Sequence, residues 1–240
     1  MMFKFLKSKS ILAFILSFVL FPLFCGNTHA VDRHLLISIV GNLKSGKTAL
    51  RDMLMGRGFT INGNEKDYVP TMKAVREYKP LYTDDGNGTI IMCETWDTSG
   101  QINVKDDIIN DRCQGSHFIF ITFNMALEPK FGFDNVVKQA IAEWAMPISI
   151  KYPNSHIVLV GTKSDLATGE NLKKIRIALD HAPHSINNLS FLITSSANGE
   201  GKMDLEDIII RNVSIGNLPI WHNQYIAKGA SDDADKCTIL

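Results

Sequence analysis

The sequence predicts an α/β protein of three layers, a mostly parallel β-sheet covered by helices on both faces. Three observations carry that prediction. Strand-like apolar runs alternate with helical patterns through the middle of the 240-residue chain, the order that builds parallel sheets through crossover helices. Two of the runs, "HFIFITFN" at 117–124 and "SHIVLVGTKSD" at 155–165, are apolar with little polar alternation, as strands covered on both faces must be. Finally, "GNLKSGKT", Gly41 to Thr48, sets a glycine-rich loop between a strand pattern and a helix pattern.

Taken in order, "HLLISIV" from His34 is short, apolar and β-branched, and "KTALRDMLM" beyond the loop has helix formers at helical spacing. "TMKAVREYKPLYT" and "GTIIMCETWDT" flank the turn-forming "DDGN" and read as a paired hairpin, the first strand alternating only weakly. After the buried run at 117–124, "DNVVKQAIAEWAMPISI" has a helical period, with Pro147 expected to end or kink it. "NLKKIRIALDH" reads as a further helix, "LSFLITSS" as the last strand and "KMDLEDIIIRNV" as the closing helix. No internal repeat or low-complexity linker interrupts this order.

Composition narrows the partners. Lysine plus arginine and aspartate plus glutamate number 25 each, so no global field points to nucleic acid. A mean hydropathy near zero excludes a protein of many membrane spans. Cys25, Cys93, Cys113 and Cys237 lack the close spacing of a disulfide scaffold or a zinc site, which favours a reducing compartment for the folded part. His181 and His184 have no cysteine or acidic partners at ligand spacing and read as surface histidines.

The ends read differently from the middle. Residues 1–30 run from a lysine-bearing start through "ILAFILSFVLFPLF" to a polar "CGNTHA", the order of a secretory signal peptide. The competing reading is a membrane anchor, against which the apolar run of 14 residues is short of the roughly 20 that span a bilayer. Cys25 admits a lipoprotein site, although bulky Phe24 before it fits poorly. From Ile215 the periodicity dissolves, and "KGASDDADK" is too polar to order itself. The final Cys237, Thr238, Ile239 and Leu240 fit the C-a-a-X prenylation box with leucine last. The chain therefore divides into 1–30 as signal peptide or anchor, 31–214 as the folded domain, and 215–240 as a tail.

Two motifs carry chemistry. In "GNLKSGKT" the glycines Gly41 and Gly46 let the backbone curl, so that its N–H groups, with those of Asn42, Leu43, Lys44 and Ser45, face an anion at a helix N-terminus. Lys47 is placed to reach β- and γ-phosphates, and the Thr48 hydroxyl to ligate Mg²⁺. The bland reading is a glycine-rich turn with a surface lysine. A phosphate loop does not choose a purine; "GTKSD" does. Asp165, at the end of the buried run, can accept both N1–H and the exocyclic N2–H of guanine, a pair of donors adenine lacks on that edge. The stem of Lys163 would lie over the base, and Thr162 would tie this loop to the phosphate loop.

"GNLKSGKT", "YVPT", "WDTSGQ", "TKSD" and "SSAN", in that order and on those elements, resemble the five nucleotide-binding boxes of the Ras superfamily of small GTPases. The resemblance spans about residues 34–214 and implies the P-loop GTPase fold, with a six-stranded, mostly parallel sheet. It implies a GTP/GDP cofactor with Mg²⁺, and slow phosphoryl transfer to water that works as a timer. By resemblance, Thr71 ligates Mg²⁺ and touches the γ-phosphate, Asp97 holds Mg²⁺ through water, Gly100 offers its N–H to the γ-phosphate, and Gln101 orients the attacking water. Thr71, Gln101 and Lys47 form the expected catalytic set. Ser196 and Ala197 present backbone N–H groups to guanine O6. Phe59, twelve residues beyond Lys47, stands where the family's base-flanking aromatic does, with a core phenylalanine as the bland alternative. Implied partners are effectors, exchange factors and GTPase-activating proteins at the two switch loops, with membrane attachment through Cys237.

The match has departures. Leu43 occupies the third loop position, usually glycine in Ras-like members, where a branched side chain would crowd Gln101 and slow hydrolysis; this keeps open a GTP-binding scaffold with negligible turnover. "INGNEKD" enlarges the first switch. "CQGS" stands where the Rab branch often has an aromatic-arginine-glycine string, and no insert helix follows "TKSDL" as in Rho members, so the subfamily stays open. Trp221 and Tyr225 read as packing against the domain or as membrane-interface residues. A signal peptide and a prenyl box conflict in a single itinerary. One reconciliation is export from an intracellular bacterium and lipidation in the host cytosol, which would make the protein a mimic of host GTPases; the other is an N-terminal anchor or an overextended reading frame.

Overall fold

The computed structural model describes residues 31–58, 74–82, 90–98, 105–126, 133–180, 186 and 188–214. Six strands form one sheet: β1 (Val31–Gly41), β2 (Val75–Tyr82), β3 (Ile90–Asp97), β4 (Phe118–Asn124), β5 (His156–Thr162) and β6 (Leu189–Ile193). Their order is β2-β3-β1-β4-β5-β6. Only β2 runs antiparallel to its neighbour, in register from Val75 opposite Asp97 to Tyr82 opposite Ile90. The other pairings are parallel. β2 is an outer strand and carries Pro80 opposite Met92, a position open to a residue without an N–H only at a sheet edge.

The helices are α1 (Lys47–Leu54), α2 (Lys105–Asp107, continued by a π turn at Ile108–Arg112), α3 (Phe133–Ala140, a π turn at Ile141–Ala145, then Met146–Lys151), α4 (Gly169–Asp180) and α5 (Lys202–Ser214). Side chains alternate across each buried strand and so build two cores. Leu35, Ile37 and Ile39 of β1 with Phe118 and Phe120 of β4 pack against Leu50 and Leu54 of α1 and Leu205 and Ile209 of α5. On the other face Ile119, Ile121 and Phe123 meet Ile108, Val137, Trp144, Ile148 and Ile175 of α2, α3 and α4. Each fully buried Ile or Leu there contributes on the order of 2 kcal/mol. This is the six-stranded, helix-covered sheet that the sequence predicts.

Several boundaries differ from the sequence reading. β1 begins three residues before His34, because Val31 and Arg33 pair with Ile90 and Ile91 around a bulge, and backbone pairing needs no apolar side chain. Pro147 neither ends nor interrupts α3. The π turn at Ile141–Ala145 ends two residues before it and holds Glu143, and that wider turn relieves the clash a proline ring makes with the carbonyl four residues back. β6 stops at Ile193, leaving Thr194 onward to a loop. β5 stops at Thr162, and Asp165 sits in a 3₁₀ turn, Ser164–Leu166, rather than on the strand.

Candidate nucleotide site

The C-terminal ends of β1, β3, β4, β5 and β6 lie side by side, and the strand order reverses about β1, with β3 on one side and β4 on the other. In open parallel sheets that crevice is where ligands bind. Gly41 ends β1 at φ 139° and Gly46 precedes α1 at φ 90°. A Cβ on Gly41 would collide with the Thr122 carbonyl, and one on Gly46 would lie 2.9 Å from Thr162 Oγ1. The loop between them is pressed onto β4 and β5, with no room for side chains at either glycine. Lys44 also has positive φ, 60°. Ser45 shares a 2.6 Å hydrogen bond with Thr122, and its carbonyl accepts from Thr162 Oγ1 at 2.7 Å. Asn42 Oδ1 accepts from the indole N–H of Trp144, 2.9 Å away in the π turn of α3.

Gly46 opens α1, with no side-chain cap among the described residues, so the positive end of the helix dipole faces the loop and favours an anion there. Lys47 is only 6% exposed. Its ammonium curls over the loop and donates to the carbonyls of Gly41 and Asn42 at 3.1 and 2.8 Å. Burial pushes its pKa down to about 8, against the pull of Asp97. Leu43, at the tip, is 44% exposed.

Beside the loop, Thr48 donates to Asp97 Oδ2 at 2.7 Å. Asp97 is fully buried, and its second oxygen, Oδ1, has no hydrogen-bond partner among the described residues. Burial pushes its carboxyl above the usual range, opposed by the Thr48 hydrogen bond and by the charges of Arg51 and Lys47. Arg51 NH1 stands 3.4 Å from the same Oδ2. A hydroxyl against a buried carboxylate with a vacant oxygen is the hard-oxygen donor set that suits a small divalent cation.

The base-facing side is built from β5, β6 and the turns after them. Lys163 adopts the left-handed conformation, φ 60° and ψ 42°. Asp165 Oδ1 accepts from Ser195 Oγ at 2.5 Å, and that hydroxyl accepts from the Ala197 N–H at 3.2 Å. Ser196 Oγ donates to the Ala49 carbonyl of α1 at 3.0 Å, joining the two halves of the site.

The structure thus brings together residues 41–48, Asp97, Thr162, Lys163, Asp165, Ser196 and Ala197. Phe59, Thr71, Gly100 and Gln101 lie outside the described residues, as do "YVPT", the 1–30 segment and the C-terminal box. Sequence reasoning passed over Ser195, Thr122, Trp144 and Arg51. Ser195 was within reach, since a hydroxyl beside the "SAN" backbone is a natural partner for a base-reading carboxylate; the others carry no local pattern.

A parallel sheet that holds a glycine-flanked loop, a buried lysine and an uncapped helix start at its C-terminal edge defines a P-loop nucleotide-binding protein. The model of the Ras family matches residues 36–214, about three quarters of the chain, and the chain belongs to that family as a GTP-binding small GTPase. Comparison with curated proteins gives no match.

Proposed function

We propose that the protein is a GTP/GDP switch that binds guanine nucleotide with Mg²⁺, hydrolyses GTP slowly to GDP and phosphate, and changes its partner surface when the γ-phosphate is lost. The observation that carries this reading is the convergence of buried Lys47, the Thr48–Asp97 pair and the Ser195-held Asp165 on one crevice. Loop N–H groups and Lys47 hold the phosphates. Thr48 and Asp97, with Thr71, hold magnesium, whose bound form supplies charge neutralisation at the phosphate oxygens. Asp165 reads guanine N1–H and N2–H, Lys163 covers the base with Phe59 at its edge, and Ser196 and Ala197 face O6.

Hydrolysis transfers the γ-phosphoryl group to water, breaking its bond to the β-phosphate oxygen. The protein contributes position and charge rather than covalent chemistry. Gln101 orients the water, and Thr71 and Gly100 sense the γ-phosphate, so its departure releases both switch loops. Effectors, exchange factors and GTPase-activating proteins read that change.

Calorimetry on the full-length, magnesium-replete chain tests this. GDP should bind at least about a hundredfold more tightly than ADP, since a site built for paired donors rejects a ligand without them, and Asp165→Asn should erase the difference. Equal affinity for the two nucleotides in the parent refutes the assignment. A second reading, a GTP-binding scaffold with negligible turnover, is favoured by exposed Leu43 on the phosphate loop.

The basic, apolar, polar order of 1–30 and the terminal Cys237 box support export followed by lipidation at a host membrane, as a mimic of host GTPases, with domain limits at 31 and 214. N-terminal sequencing of the mature chain and the mass of its C-terminal peptide test that itinerary; an intact Met1 and an unmodified Cys237 overturn it.

A further inference from the structure

A fixed cation already stands beside the magnesium ligands. Arg51 sits on α1 one turn beyond Lys47, with 10% of its side chain exposed. Its NH1 lies 3.4 Å from Asp97 Oδ2, the oxygen that also accepts from Thr48 at 2.7 Å. The rest of the guanidinium is drawn the other way: Nε and NH2 donate to Asp52 Oδ1 at 3.0 and 2.7 Å, and Nε stands 3.7 Å from Glu77 Oε2 on β2. Asp97 Oδ1 is buried without a partner among the described residues.

One carboxylate is therefore shared between a tethered monovalent charge and an incoming divalent one. Two cations drawing on one buried anion oppose each other, and weak screening in the interior strengthens the opposition. With the metal away, the same guanidinium offsets the charge that burial makes costly for Asp97.

We propose that Arg51 is a built-in counter-charge for Asp97 that steadies the site when magnesium is absent and weakens magnesium when it binds. Metal and GDP then leave at higher magnesium concentrations than Thr48 and Asp97 alone would set. Asp52 acts in the opposite sense by holding the guanidinium back from Asp97. The inference rests on the reading of Thr48 and Asp97 as magnesium ligands.

The test is the release rate of a fluorescent methylanthraniloyl-GDP from the full-length chain across a MgCl₂ titration. Release from the parent should slow as magnesium rises. In Arg51→Gln the midpoint should move to about tenfold lower magnesium, the scale on which a neighbouring charge alters a carboxylate's affinity for a proton. Asp52→Asn, whose side chain is partly exposed, should move the midpoint upward. An unmoved or raised midpoint in Arg51→Gln overturns the proposal; if that variant does not fold, an unmoved or lowered midpoint in Asp52→Asn does so. A parent whose GDP release ignores magnesium overturns the metal reading itself, a result separate from an unshifted variant.

Discussion

Replacing Glu94 with glutamine removes a single charge from the middle of β3, where three groups converge on its side chain. Arg76 Nε and Trp96 Nε1, the latter at 2.8 Å, donate to Oε1, and His34 Nε2 lies 3.1 Å from Oε2. Only 4% of the side chain is exposed. Burial by itself would raise the carboxyl, but the hydrogen bonds from His34, Arg76 and Trp96 and the charge of Arg76 bring it from 4.5 down to about 2. A carboxylate depressed on folding stabilises the native state above its unfolded value, and that contribution is lost as the pH falls through the folded value. The shift corresponds to up to about 3 kcal/mol at neutral pH, discounted for the half-exposed Arg76, and about half of this survives at pH 3. Urea unfolding of parent and Glu94→Gln at pH 7 and pH 3 reads the effect directly. The gap between the two should narrow by about 1.5 kcal/mol on acidification. A gap of the same size at both pH values would mean that lost packing, not lost charge, destabilises the variant.

Two further outcomes concern the nucleotide site. Ser195→Ala removes the hydroxyl that fixes Asp165, and calorimetry should show GDP bound about tenfold more weakly, the cost of one hydrogen bond to a charged group; unchanged affinity would mean that Asp165 is oriented by other contacts. Leu43→Gly clears the exposed loop tip, and single-turnover hydrolysis of bound GTP should speed up about tenfold or more. A variant as inert as its parent would favour the scaffold reading.

The parts of the site legible in the sequence are those in which a residue type is bound to a backbone requirement. Gly41 and Gly46 are needed because of positive φ and because β4 and β5 press against them, so their spacing announces the loop. The alternating cores were legible too, since strands buried on both faces leave continuous apolar runs. Trp144 was not, because its partner lies 102 residues away and no local period records such a pairing. Arg51 reads locally as one more helix former, and only the fold sets it against Asp97. The fate of Pro147 escaped for a similar reason: a proline forbids a tight turn in front of it, but whether the chain breaks or widens there depends on the core that Trp144 and Ile148 fill.

Pro80 has a consequence beyond its own strand. Tyr78 and Tyr82, at 52% and 70% exposure, leave an aromatic rim along the outermost strand, the sort of border onto which a second polypeptide could zip. An imide nitrogen between them deprives such a visitor of a hydrogen at the middle of the seam. The rim can stay greasy and open without seeding fibrils.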